Sequence, residues 1–522
     1  MISIRHIRRF PTTLYFDPEF AYLYNGGVIT SGGTPGHWDH PGTSLQWITG
    51  LISRLTYLFH SSKLSFSQDL VSNPDIFLLT VRLTLALLFC FCLFIFGVNA
   101  NKYLGMHLGL ATILFICAGI KLWYPWIYLL TPESLVASTT LLILALLLPC
   151  ILNRDNQPSI LISCCVGLAF AFGITGKVII LPLFLLLPFV LRVKEILVVG
   201  VITVVTSLII LKPVYPRFGV MYNWFKVVAS SPDRYGNEDS TKWTVLENFR
   251  RAIRDIDGAF PFAWLIVLVL IAASIIVSRE VFAGRIKEAR LTFFLSSCGV
   301  TLAIIGTVGM GYKSFSLRDF IMIPFLAPLL MSTVLFKSRA YLKYPQQIDS
   351  RRFSSYAAIA LISVSTVLSL RATLHVIRST DSMILTQSSN IKALDNAVGD
   401  SILINAYPSS SLEFASSFGN AWSSSFYSKE ILERFPNYLE LNIWDQVLYG
   451  YKSTQALTPI DCLDITHLLV GSRIYLVIQD HILTSYWPDR TDDIVLANGF
   501  SLKVSELRTD LNNKVFKITG CG

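Results

Sequence analysis

Asp17-Pro18-Glu19 is the first place in this chain where residue types and spacing suggest chemistry. It is followed by Asn25-Gly26-Gly27, Gly32-Gly33 and the run Gly36-His37-Trp38-Asp39-His40-Pro41-Gly42-Thr43. Two carboxylates close in sequence, then a Gly- and aromatic-rich stretch and a His/Asp/His cluster, suit a general base acting on a hydroxyl once the surroundings tune one of the acids. The same residues also read as an Asx turn in which Asp17 caps a helix begun by Pro18.

Three further sets of polar residues stand beside apolar runs. Thr131-Pro132-Glu133-Ser134 opens one such run, and it reads either as a functional acid or as an N-terminal cap with Pro132 at the first helical position. Lys177 interrupts the apolar stretch 160–191. A charge in that setting is a functional candidate. Tyr312-Lys313-Ser314-Phe315-Ser316-Leu317-Arg318-Asp319-Phe320 forms a short loop before Pro324 and Pro328. There Lys313 and Arg318 suit a phosphate, or they snorkel from helix ends.

The elements that must hold these residues follow from composition. Of 522 residues, 53% are hydrophobic and 15% charged, and the mean hydropathy is +0.55. That excludes an ordinary soluble protein, a disordered chain, a coiled coil and a small disulfide scaffold. A polytopic helical membrane protein is left. At roughly 20 apolar residues per crossing, ten spans are expected: 76–98, 104–121, 134–151, 160–175, 177–191, 195–212, 260–278, 291–311, 320–336 and 354–371.

Charge sets the orientation. Loops 99–103, 152–159, 192–194, 279–290 and 337–353 hold thirteen Lys and Arg residues and are expected on the cytoplasmic side. The net charge of +9 is then loop charge rather than a nucleic-acid surface. The long segments 1–75, 213–259 and 372–522 fall outside. The basic start MISIRHIRRF lands outside as well, with no apolar span before it: either a first span is encoded upstream, which is the expectation, or the N-terminus sits outside against the charge rule. Residues 43–60 carry apolar side chains at helical spacing and suit a helix along the membrane surface. The aromatic- and Arg-rich loop 213–259 suits either a sugar or an interfacial aromatic belt.

Residues 372–522 differ in composition. The runs 402–405, 474–478, 500–504 and 514–518 read as strands, and 412–418 and 427–434 as helices, so an extracytoplasmic α/β domain is expected. Of nine Cys, only Cys462 and Cys521 lie there, and an oxidising compartment would permit a disulfide between them. No Cys/His spacing suggests zinc, and no phosphate-binding Gly-rich loop or nucleophile elbow occurs.

In their order these motifs resemble the glycosyltransferase C superfamily, in the branch with the protein O-mannosyltransferases and the bacterial lipid A aminoarabinose transferases. The matches are Asp17 with Glu19, His40-Pro41, Pro132-Glu133, the small-residue run Gly167-Leu168-Ala169 through Lys177 to Pro182, and Lys313 to Pro328. They cover about residues 1–336. The acids here are separated by Pro18, where the family has them adjacent.

The resemblance implies an α-helical polytopic membrane protein of about 10–11 transmembrane helices with a C-terminal extracytoplasmic α/β domain. The division is a first loop 1–75, a membrane domain 76–371 and a terminal domain 372–522. It implies a bacterial inner-membrane enzyme, working on the outer face, that moves a sugar from a polyprenyl-phosphate donor to a hydroxyl of a lipid, polysaccharide or protein in one inverting displacement. Asp17 would be the base, with Glu19 beside it. Asp39, His40, Glu133, Lys177, Lys313 and Arg318 would bind or position the donor. No cofactor is implied, although Asp17, Glu19 and Asp39 could hold a divalent metal; nucleic acid is not an expected partner. The rival readings are a transporter or flippase for a lipid-linked saccharide and an oligosaccharide ligase or polymerase. The first would be expected to carry paired half-repeats, which the sequence lacks.

Overall fold

The computed structural model describes residues 19–38, 42–60, 62–118, 127, 129–152, 156–230, 300, 302–304, 321–330, 401–406, 412–442, 445–451, 457–479, 493–497, 499, 501–507 and 513–522, with isolated positions between 367 and 378. The chain divides into two compact units. One comprises Met1–His37, Ile48–Val81 and Ser379–Gly522; the other comprises Trp38–Trp47 and Arg82–Arg378.

In chain order the first helices are α1 (Glu19–Thr30), α2 (Thr43–Phe59) and α3 (Phe66–Ser72). The Ser65 hydroxyl caps α3, and the Gln68 side chain returns to the Ser65 amide. The apolar helices follow: α4 (Pro74–Leu104), α5 (Met106–Ala118), α6 (Pro132–Leu152), α7 (Ile160–Gly176), the single turn α8 (Leu187–Val190) and α9 (Val193–Leu211). Three described stretches are long and apolar enough to cross a membrane: Pro74–Leu104, Pro132–Leu152 and Val193–Asn223. At 1.5 Å per residue, roughly 20 residues cover the hydrocarbon core. Gly105, at φ +81°, separates α4 from α5 in a backbone region that suits glycine.

One expected span has a different form. Residues 177–191 fold as a 3-10 helix, Val178–Leu186, followed by α8. Pro182 and Pro188 remove amide donors from a continuous α-helical ladder, so the tighter coil takes over. The expected span 260–278 and most of 291–311 and 354–371 lie outside the described residues, whereas 320–336 is described over 321–330.

The membrane-type helices pack through small residues. A Cβ on Gly167 would meet the Val199 carbonyl and Ile202 at 2.8–2.9 Å, so α7 and α9 approach closely there. The Thr203 hydroxyl donates to the Gly167 carbonyl at 3.1 Å across this crossing. Such contacts tie helices together where no water competes. The outward row Val193, Leu197, Val201, Val204 and Leu208 of α9 is exposed, which fits lipid rather than water. Helix α2 is likewise polar inside and apolar outside. Gln46, Thr49 and Ser53 are buried, whereas Leu51, Leu55, Leu58 and Phe59 are exposed. That inversion supports its reading as a membrane-surface helix.

After α9, a 3-10 turn Lys212–Arg217 leads into α10 (Phe218–Ser230). In the other unit the terminal residues form α11 (Leu412–Trp422), α12 (Ser428–Arg434), α13 (Cys462–Gly471) and an eight-stranded sheet. The strands are β1 (Ile402–Ala406), β2 (Leu439–Asn442), β3 (Val447–Tyr451), β4 (Leu457–Pro459), β5 (Ile474–Gln479), β6 (Asp493–Val495), β7 (Ser501–Leu507) and β8 (Asn513–Cys521), in the order β4-β3-β2-β1-β5-β8-β7-β6. Central β1 runs parallel to β2 and β5, and the flanking pairs are antiparallel. The four expected strands are β1, β5, β7 and β8, and the two expected helices are α11 and α12. The core on one face includes Ile404, Leu441, Ile465, Leu476 and Ile518. Asp461 caps α13 in a reciprocal box with Asp464. Cys462 at the start of α13 is disulfide-bonded to Cys521 at the end of β8, with Cα atoms 5.5 Å apart.

Candidate functional site

Glu133 and Lys177, far apart in sequence, form an ion pair. Pro132 starts α6, its missing amide costing nothing there, and sets Glu133 in the first turn. Lys177 ends α7 in extended backbone, φ −159° and ψ 130°, where the chain turns into the 3-10 helix. The Lys177 ammonium lies 2.6 Å from Glu133 Oε1, with side chains 15% and 3% exposed. Burial removes the hydration of Glu133 and part of that of Lys177, and the ion pair offsets some of that loss.

The capping alternative for Thr131-Pro132-Glu133 is only half met. The Ser134 amide and hydroxyl both donate to the Thr131 carbonyl, at 3.2 and 2.7 Å. The buried Thr131 hydroxyl makes no hydrogen bond among the described residues. The helix start therefore explains Pro132, while one Glu133 oxygen is bound by Lys177.

The segment following His40-Pro41 joins this pair. The Ser44 hydroxyl donates to the Phe172 carbonyl of α7 at 2.8 Å. A Cβ on Gly176, next to Lys177, would lie 3.3 Å from both Ser44 Oγ and Leu135. The Trp47 indole donates to the Ile210 carbonyl of α9 at 3.1 Å. Three motifs thus converge: the residues after His-Pro, the Pro-Glu step and the small-residue run that ends in Lys177. Ser44 and Trp47 were not identified from sequence, because ordinary helix residues carry no signal of such docking.

In the other unit, Glu19 is the first residue of α1 and is buried at 3% exposure. Asn25-Gly26-Gly27 lies inside α1 rather than in a loop. Its glycines serve close approach. A Cβ on Gly27 would collide with the Tyr427 hydroxyl, and one on Gly50 of α2 would collide with the Gly26 carbonyl. Asp17, Asp39, His40, Lys313 and Arg318 lie outside the described residues. Among the described residues no three His, Cys, Asp or Glu side chains gather as a metal site.

Titrating groups on the terminal sheet are also shifted. Burial pushes the Glu440 carboxyl up to about 7, opposed by a hydrogen bond from the Tyr438 hydroxyl at 2.7 Å and reinforced by nearby Asp445. Tyr449, which donates to Asp445 at 2.8 Å, is also raised, first by burial.

No family model matches the sequence, and no curated protein matches it. Among solved structures, the chain is similar to the crystal structure of ArnT from Cupriavidus metallidurans bound to undecaprenyl phosphate. The identity is 12% and the TM-score 0.48, over 99% of this chain and 96% of that one. It is similar to the apo state of the same protein at 12% identity and TM-score 0.46, over 97% and 94% of the two chains.

Proposed function

We propose that this protein is an integral-membrane glycosyltransferase that moves a sugar from a polyprenyl-phosphate carrier to an extracytoplasmic hydroxyl. The observation that carries the reading is the convergence at Glu133–Lys177. Motifs 44 to 128 residues apart supply a buried acid, a half-buried cation and the helix that follows His40-Pro41. A cation held at the end of an apolar helix suits a lipid phosphate at the membrane surface.

In this reading Asp17 takes the proton from the acceptor hydroxyl as its oxygen attacks the sugar's anomeric carbon. The bond from that carbon to the carrier phosphate breaks in the same inverting step. Lys313 and Arg318, with Lys177, stabilise the departing phosphate. Glu133, Asp39 and His40 are positioning residues, and Glu19 stands beside the base. The donor bond itself supplies the driving force, so the step uses no nucleotide, and no metal is assigned a part in it. The acceptor is a lipid, polysaccharide or protein on the outer face.

The test compares surface glycolipids and polysaccharides by mass in three strains: one lacking the gene, one complemented with the wild-type chain and one with Asp17→Asn. The expected result is a sugar-sized mass lost on deletion, restored by the wild type and not by Asp17→Asn, at equal protein in the membrane. Full restoration by Asp17→Asn would remove Asp17 as the base. Lipid-linked saccharide that crosses the membrane with no glycosidic bond formed would favour a flippase instead.

A further inference from the structure

The terminal α/β domain holds the acid-bearing start of the chain at several separate points. Every residue of α1 except Thr30 is buried. At its beginning, a Cβ on Gly419 of α11 would lie 2.8 Å from the Phe20 backbone, so the two helices touch with no side chain between them. In its middle, Asn25 is fully engaged. Its amide donates to the Ala21 and Trp422 carbonyls at 2.7 and 3.0 Å, and its oxygen accepts from the Gly36 and His37 amides at 2.7 and 3.2 Å. Beyond its end, the His37 ring sits between Tyr22 and Trp422, with centroids 4.9 and 4.8 Å away.

The turn that receives these groups is itself specially built. Ser424 and Ser425 are both left-handed, at φ 57° and 59°, a conformation that non-glycine residues rarely adopt and that persists only where surroundings impose it. Asn420 imposes it, accepting from the Tyr427 amide at 2.8 Å and from the Ser425 amide through its own carbonyl at 2.9 Å. Gly36 fits against the turn only because it lacks a side chain; a Cβ there would lie 2.5 Å from the Ser424 nitrogen and the Trp422 oxygen. The Tyr427 hydroxyl, donating to the Tyr24 carbonyl at 3.2 Å, closes the grip from the other side.

We propose that α11 and the turn Trp422–Tyr427 are the positioning element for the catalytic start of the chain, setting α1 and through it Asp17, which precedes α1 by two residues. This rests on the reading of Asp17 as base. It makes the terminal domain part of the machinery of transfer rather than an appended acceptor-binding module. Small displacements of a catalytic group lower rate steeply, so a contact that shifts α1 acts on transfer without touching substrate.

The experiment uses the full-length protein in the deletion strain and as purified material. Gly419→Ala places a methyl against the Phe20 backbone while favouring helix in α11. Trp422→Ala removes one wall of the His37 stack, and Trp422→Phe keeps an aromatic wall. Two readouts are taken: the sugar-sized mass product per unit of folded enzyme, and amide hydrogen exchange across residues 20–37. Gly419→Ala and Trp422→Ala are each expected to lower product about tenfold or more and to raise exchange across that segment, while Trp422→Phe stays near wild type in both. Wild-type product from Gly419→Ala and Trp422→Ala despite raised exchange would overturn the proposal, as would unchanged exchange in both. Asp17→Asn with undiminished product would instead overturn the reading of Asp17 as base, while the exchange results would still report the docking of α1.

Discussion

Glu133 and Lys177 show what a buried charge demands. Glu133 is buried, Lys177 is half-buried, and the two pair at 2.6 Å. Removing one takes a charge partner from the other; breaking a buried pair typically costs about 3–5 kcal/mol, and less where one member is half-buried. Glu133→Ala and Lys177→Ala are each expected to lower the thermal unfolding midpoint of the detergent-solubilised protein, and the double variant Glu133→Ala with Lys177→Ala to lose less than the sum. Strict additivity would show that the two side chains are not coupled. Glu440 makes a prediction of opposite character. Its carboxyl is raised from 4.5 to about 7 in the fold, so folding favours its protonated form. Below pH 4.5 the group is protonated in both states and the benefit is complete. As pH rises from 4.5 to 7, the unfolded state ionises first, and at most about 3 kcal/mol is lost, at 1.36 kcal/mol per pKa unit. Stability of the terminal domain should therefore fall across that window, and Glu440→Gln should flatten the fall. An identical pH profile in that variant would remove Glu440 as the cause.

At the scale of elements, short apolar and capping patterns were readable where local physics decides the outcome. Pro132 starts α6 as its sequence suggests, and the strands expected around 402–405 and 474–478 are the central β1 and β5. The region 177–191 was readable as apolar but not as a 3-10 coil, since apolarity alone does not distinguish helix types. Strands β2, β3, β4 and β6 were not identified from sequence, because they are short and depend on their neighbours for pairing. The disulfide adds an element-level prediction. Cys462 and Cys521 close a loop with a sequence separation of 59, for which loop entropy gives about 4 kcal/mol. Cys462→Ser should lower the melting point of the full-length protein under oxidising conditions and have no further effect once the wild type is reduced. A wild-type protein whose stability ignores reductant would contradict this. The α7–α9 crossing predicts that Gly167→Leu reduces folded protein in the membrane, because its side chain would have to enter the Val199 and Ile202 backbone and side-chain space.

At the scale of the molecule, the number of charges and apolar residues already placed this chain in a membrane, and three described stretches are long enough to cross one. The exposed rows on α2 and α9 would be a liability in water and are natural against lipid. The expected consequence is that the protein stays with the membrane through alkaline carbonate extraction; release into the soluble fraction would refute it. The sequence by itself determined the apolar helices, the placement of Pro132 and the order of the acidic, His-Pro, Pro-Glu and Lys motifs, because these depend on residue type and local spacing. Only the tertiary structure decided that Glu133 meets Lys177, that Ser44 docks on α7, and that Asn25, Gly36 and His37 are gripped by a serine turn hundreds of residues later. Those contacts arise from glycine gaps, buried amide oxygens and desolvated charges, whose partners lie far away in sequence and are set only when the helices close on one another.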